Sequence, residues 1–184
     1  MAVKTFTTGE VLTASDTNTY LANSGLVYVG GTTFSAASTP FVNGCFTSNY
    51  QNYRIIISIS GSASSNLRLR VRYGTSTVET TAVYDRWGFS VTSGVIANLT
   101  AAGEQSLFLG GFYSGELTPY AMDVFSPNDA SRTMIMPYSW NSATGAQVFM
   151  PARVSTNTVY TGIEILTDSG TLTGSMRIYG YRQA

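Results

Sequence analysis

Two carboxylates on strand-like segments, Asp123 and Glu164, are the residues best suited to chemistry, because glycoside hydrolysis needs only a pair of acids. Asp85, Glu104, Glu116, Asp129 and Asp168 sit near turn signals. No spacing rule selects a pair, since acids far apart in sequence meet only through the fold. The other reading of each is a solvated or Arg-paired carboxylate. The chain has no His, which removes the commonest general base and the commonest metal ligand. A single Cys excludes an intrachain disulfide and a Cys-based zinc site. Cys45, within Gly44-Cys45-Phe46, reads as a small buried apolar residue. Gly30-Gly31 and Gly110-Gly111 lack the following helix that a phosphate loop requires, so they read as turn or bulge positions. The expectation is a protein with no catalytic residues, no metal and no cofactor.

Two clusters point to binding instead. In Leu67-Arg68-Leu69-Arg70-Val71-Arg72-Tyr73, a period of two puts the apolar residues on one face and Arg68, Arg70 and Arg72 on the other. The stripe could hold acidic sugars through forked hydrogen bonds, lie in a subunit interface, or be an ordinary solvated face. Tyr84-Asp85-Arg86-Trp87-Gly88-Phe89 gathers both charges and large rings around a glycine and reads as a loop for surface contact. Its contact candidates are Tyr84, Asp85, Arg86 and Trp87. Further rings, Tyr50, Tyr53, Tyr113, Tyr120, Tyr138 and Trp140, fall at predicted loops or strand ends, where core, interface and carbohydrate-stacking roles all fit.

These residues need a framework, and the framework reads as β. The 184 residues suit one domain, and 10 Lys+Arg balance 10 Asp+Glu. Zero net charge argues against nucleic acid as a partner, because phosphate binding needs a cationic surplus. Charged residues make up only 11%, against about 25% in an ordinary soluble protein. That scarcity suits a β-rich protein packed beside other subunits. No apolar run reaches the roughly 18 residues of a membrane span, and residues 1–8 carry no signal-peptide core. Assembly in a cytoplasm is the expectation. Strands are predicted near 26–29, 53–60, 67–73, 106–113, 120–126, 133–140, 146–154, 159–166 and 172–182, with weaker ones near 33–37, 81–84 and 89–91. Tyr53-Arg54-Ile55-Ile56-Ile57 is apolar on both faces at its centre and reads as a strand covered twice. With no crossover helices available, the fold class is all-β, an antiparallel jelly-roll-like sandwich over residues 26–184.

Residues 1–25 differ. Thr13 and Asp16 match a capping box, and a short polar helix is predicted to run to Asn23. A helix this short is marginal alone, so it must dock on something. Phe6, Val11, Leu12, Tyr20 and Leu21 are its apolar anchors.

The run Phe6-Thr7-Thr8-Gly9-Glu10-Val11-Leu12-Thr13-Ala14-Ser15-Asp16-Thr17-Asn18-Thr19-Tyr20-Leu21-Ala22-Asn23 resembles a segment that opens many tailed-bacteriophage virion proteins of the minor tail, tail fibre and head-decoration types. The ending Met176-Arg177-Ile178-Tyr179-Gly180-Tyr181-Arg182 resembles the last strand of their β-sandwich domains. The resemblance implies an N-terminal attachment segment that binds other virion proteins, a distal β-domain and a homotrimer, with no catalytic residues to carry over. The expected function is therefore a tail fibre or tail-tip component, located in the virion and displayed for adhesion to host-surface glycan. The alternatives are a capsid decoration or head-fibre protein and, from the enzyme class, a carboxylate-dependent glycan depolymerase using Asp123 and Glu164.

Overall fold

Alternation of apolar and polar residues, rather than helical periodicity, decides the architecture. The computed structural model describes residues 7–11, 13–16, 25–141 and 145–182. After one helical turn, α1 (Ala14–Asp16), come β1 (Leu26–Ala37), β2 (Phe41–Val42), β3 (Asn52–Gly61), β4 (Ser65–Tyr73), β5 (Thr77–Val78), β6 (Tyr84–Arg86), β7 (Phe89–Thr92) and β8 (Val95–Asn98). The second half holds β9 (Ala101–Glu104), β10 (Leu107–Phe112), β11 (Thr118–Phe125), β12 (Thr133–Asn141), β13 (Ala146–Phe149), β14 (Ala152–Val154), β15 (Gly162–Thr167) and β16 (Leu172–Tyr181). The large sheet runs β1-β16-β3-β11-β12-β13-β7-β8, with β14, β6 and β9 branching from β12. The small sheet runs β10-β4-β15-β2, with β5 beside β4. Their strands pair antiparallel throughout, and the two sheets form an all-β sandwich.

The inner faces supply the core. Ile55, Ile57 and Ile59 of β3 and Met122 and Val124 of β11 face inward from the large sheet. Leu67, Leu69 and Val71 of β4 and Ile163 and Ile165 of β15 complete it from the small sheet, all fully buried. Each such side chain contributes roughly 1.5–3 kcal/mol through burial. Two tyrosines tie the sheets together. Tyr120, on β11, donates from its hydroxyl to the Gly111 carbonyl of β10 at 3.1 Å. Tyr84, on β6, accepts from the Val71 amide of β4 at 3.0 Å and donates to the Glu79 carbonyl at 3.1 Å. Gly110 makes the approach possible. Its φ of 147° and a Cβ position only 3.2 Å from the Tyr120 ring would strain any larger residue there. Both Gly-Gly pairs lie at register shifts within strands, at Tyr28/Gly30 of β1 and Phe108/Gly110 of β10, which makes them bulge positions. Cys45 is buried, and desolvation pushes its thiol up to about 12.

Several expectations change. The segment 84–89 is not a loop: Tyr84–Arg86 is a strand, and Tyr84 belongs to the core. β3 is central, but Ile56 points outward at 42% exposure, so this chain covers the strand on one face only. The predicted run 146–154 breaks at Met150-Pro151, because proline cannot donate to a ladder. There the chain leaves β7 as its neighbour and takes β6. The hairpin β7–β8 turns on Ser93 and Gly94, with φ of 50° and 80°. Two consecutive positive φ values are what a two-residue hairpin needs, and Ser93 hides the signal. Of the helix predicted from Thr13 to Asn23, the described residues hold only the turn Ala14–Asp16. Phe6, Leu12, Tyr20 and Leu21 lie outside the described residues, and Val11 is 77% exposed.

Two predictions follow from this packing. Burial raises the phenol pKa of Tyr53, Tyr84, Tyr120 and Tyr160 above its ordinary value. Their contribution to stability is therefore intact below the unfolded value of about 10 and is lost as pH rises through the higher native values. Denaturant unfolding at stepped pH should show level stability up to about pH 10 and a steep fall above it, as the unfolded phenols ionise while the native ones stay neutral. A flat profile into strong alkali would contradict the assignment. Second, residues 7–11 and 13–15 are exposed and β1 starts at Leu26. Deleting residues 1–25 should leave cooperative thermal unfolding within about 5 °C of the full chain; a truncated chain that cannot fold would place the segment in the core.

Candidate functional site

The outer faces of the two sheets differ in chemistry. On the small sheet the stripe Arg68, Arg70 and Arg72 points outward, as its period requires, but its guanidinium groups are occupied from within the chain. Arg72 is 6% exposed. Its Nη1 lies 2.6 Å from Glu164 Oε2, its Nε donates to Asn43 Oδ1 at 2.7 Å, and its Nη2 donates to the Ser76 carbonyl at 2.7 Å. The Phe41 ring covers it, 4.3 Å from Cζ to centroid. Arg70 donates to the Gln105 carbonyl and lies 3.9 Å from the other oxygen of Glu164. Arg68 pairs with Asp168, which also accepts from Asn66. Burial pushes the Glu164 carboxyl up, and Arg72 and Arg70 pull against that shift. The stripe is a set of satisfied ion pairs rather than an open anion fork.

Asp123 lies on the opposite side of the molecule, on the outer face of the large sheet. Four adjacent strands meet over it. Arg54 of β3 is its cross-strand partner, with Nη1 at 3.4 Å from Oδ1. Tyr181 of β16 donates to Oδ1 at 2.7 Å, and Tyr138 of β12 donates to Oδ2 at 3.0 Å. The Arg54 guanidinium sits 5.5 Å from the centroid of the Tyr138 ring. Both oxygens are therefore committed. The hydrogen bond to Asp123 raises the Tyr138 pKa; burial and then the same carboxylate raise that of Tyr181. Asp123 and Glu164 project away from each other across two sheets that themselves stack about 10 Å apart. They cannot flank one glycosidic bond, which requires carboxyls no more than about 9.5 Å apart.

Beyond Asp123, the large sheet presents rings. Period two along β12 turns Met134, Tyr138 and Trp140 outward, each about half exposed. Register places Phe149 beside Tyr138, and Phe89 beside Phe149 with centroids 5.8 Å apart. Tyr138, Phe149, Phe89 and Gln147 border a shallow trough of about 440 Å³. At the branch strands, Trp87 is 45% exposed, with the Arg153 guanidinium 4.9 Å from its ring centroid. Arg153 Nε donates to Asp85 Oδ2 at 3.0 Å. Asp85 also accepts from the Gly103 amide at 3.0 Å. That amide, with Arg153, holds its carboxyl below the usual range.

Of the four contact candidates in the segment 84–87, only Trp87 is exposed. Tyr84 is core, Asp85 is bound to Arg153, and Arg86 lies 2.7 Å from Glu104 Oε2 while donating to the Leu99 carbonyl. Sequence reasoning missed Arg54, Arg132, Phe149 and Arg153. The alternation Met134, Met136, Tyr138, Trp140 was the available signal for this face. It also missed Glu79, a buried carboxylate that accepts from Thr81 and Tyr160, for which no motif exists. Among the described residues, no group of three His, Cys, Asp or Glu is placed to hold a metal, and no helix is long and apolar enough to cross a membrane.

Asp123→Asn should keep the fold but cost about 1.5–3 kcal/mol, as expected when hydrogen bonds to a charge are lost. It should also lower the Tyr138 and Tyr181 titrations toward the ordinary phenol value. Tyrosine titration by NMR checks this; unchanged curves would show that neither phenol is bound to the carboxylate.

No family model matches the chain, and none of the curated proteins matches it. Solved structures with related outlines include a single mutant of congerin II, at 9% identity over 76% of this chain and 98% of that one, with a TM-score of 0.34. A galectin from Caenorhabditis elegans gives 13% identity over 83% and 96%, with a TM-score of 0.34. Peanut lectin gives 8% identity over 88% and 91%, with a TM-score of 0.32. No residue of this chain takes a role from them.

Proposed function

We propose that this chain is a non-enzymatic structural protein of a bacteriophage virion, a tail-fibre or tail-tip component displayed for adhesion to the host surface. Its sandwich is jelly-roll-like, residues 1–25 attach it to neighbouring virion proteins, and it works as a homotrimer. One observation carries the adhesive reading. The outer face of the large sheet exposes Trp87, Phe89, Tyr138, Trp140 and Phe149, while Asp85, Asp123 and Glu164 are each held by internal partners. Such a face suits contact, since exposed rings bury large area at low entropic cost on binding, and it lacks a poised acid pair. The virion assignment rests on the resemblance of residues 6–23.

A capsid decoration or head-fibre role is the alternative and uses the same attachment. A depolymerase acting through Asp123 and Glu164 is disfavoured by their placement on opposite faces.

Electron cryomicroscopy of the particle that carries this chain tests the proposal. Density in a fibre or at the tail tip, with residues 1–25 clamped by neighbours, is the expected outcome. Density at capsid vertices or lattice centres would replace it with the decoration role. The purified chain should also bind host cells, and its failure to do so would remove adhesion.

A further inference from the structure

We propose that the cleft between Trp87, Arg132 and Arg153 binds a carboxylate-bearing sugar; this rests on the adhesive reading above and names the ligand class. The cleft has a volume of about 350 Å³ and is completed by Met134, Pro151 and Ala152. That is within the range of small-ligand sites, roughly 300–1,000 Å³. Its geometry is set by pairing. β14 lies between β12 and β6, with Arg153 opposite both Met134 and Asp85. The Trp87 amide donates to the Pro151 carbonyl at 2.9 Å, which fixes the indole beside β14.

The two cations are in different states, and both are available. Arg153 is held at Nε by Asp85 and over the indole of Trp87, so its direction is set before any ligand arrives. Its Nη nitrogens have no hydrogen-bond partner among the described residues. Arg132 is exposed and makes no hydrogen bond or ion pair among the described residues. Asp85 hydrogen-bonds Arg153 and the Gly103 amide and meets Arg132 only through space, so one carboxylate faces two guanidinium groups and the cleft keeps an excess positive charge. This contrasts with Arg68 and Arg72, whose forks are occupied from within the chain.

A planar carboxylate matches a guanidinium fork. An indole with adjoining Met134 and Pro151 offers an apolar wall for the C–H face of a pyranose ring. A sugar acid joins the two features in one ligand, as a simple anion or a neutral sugar does not.

Isothermal titration calorimetry on the full chain tests this with tetragalacturonate, sialyllactose and carboxyl-reduced tetragalacturonate. At least one acidic probe should bind, and where the uronate binds, its reduced counterpart should bind at least tenfold more weakly. Which acidic probe binds separates uronic from sialic acid. Arg132→Gln, which removes no hydrogen bond or ion pair among the described residues, should weaken binding at least tenfold, and Trp87→Ala should do likewise, with unchanged thermal unfolding as the fold control for both. The cleft assignment is overturned if neither acidic probe binds, if the reduced sugar binds equally well, or if Arg132→Gln leaves affinity unchanged. Host-cell binding separates the two levels. Cell binding retained in Arg132→Gln removes this cleft and keeps adhesion, whereas a wild-type chain that ignores cells removes adhesion itself.

Discussion

Two tyrosine hydroxyls carried into the buried interface bind one sheet to the other. A buried hydroxyl without a partner costs on the order of 1–3 kcal/mol, so Tyr120 and Tyr84 must each reach an acceptor. Both find it across the sandwich or beside it, at Gly111 and Glu79, and Tyr84 also accepts from Val71. These bonds are directional, unlike the aliphatic packing around them, and so set where the sheets lie as well as how closely. Gly110 is the complementary requirement, because any side chain there would meet the Tyr120 ring. With the inner faces locked in this way, the outer faces become fixed platforms.

The platforms divide the chain's few charges unequally. On the small sheet, cation and carboxylate are neighbours by register: Glu164 stands opposite Arg70 and reaches Arg72. Replacing one member of that buried pair would strand the other, which explains why the stripe is internally consumed. On the large sheet the same logic appears at Asp123, where four strands contribute one group each. Outside that cluster the surface is aromatic. A chain with 11% charged residues cannot cover its surface with ions, and rings that offer an apolar plane and a polar edge take their place.

This division shapes function. A carboxylate that accepts two phenols and faces an arginine ties four strands together. Trp87 has a different setting: its neighbours Arg132 and Arg153 retain unused donors, and its indole stays half exposed. The arginines of the chain thus differ in how far they are consumed internally: Arg72 is held at three nitrogens, Arg153 at Nε alone.

The alternation Leu67-Arg68-Leu69-Arg70-Val71-Arg72 determined its own faces, because side chains on a strand can only alternate. Missing crossover helices and regular turn signals likewise determined an all-β sandwich, and the lack of His with one Cys narrowed the chemistry. Tyr84-Asp85-Arg86-Trp87 misled, since mixed polarity resembles a loop; Asp85 is polar on a strand only because Arg153, 68 residues away, answers it. Ile56 misled in the other direction, as apolar character cannot say whether a cover is present. The meeting of Arg54, Asp123, Tyr138 and Tyr181, the separation of Asp123 from Glu164, and the joining of Arg132 to Trp87 were decided by tertiary structure alone. Each depends on which strands become neighbours, and strand order follows from the whole core being buried at once, a global condition that no local stretch of sequence encodes.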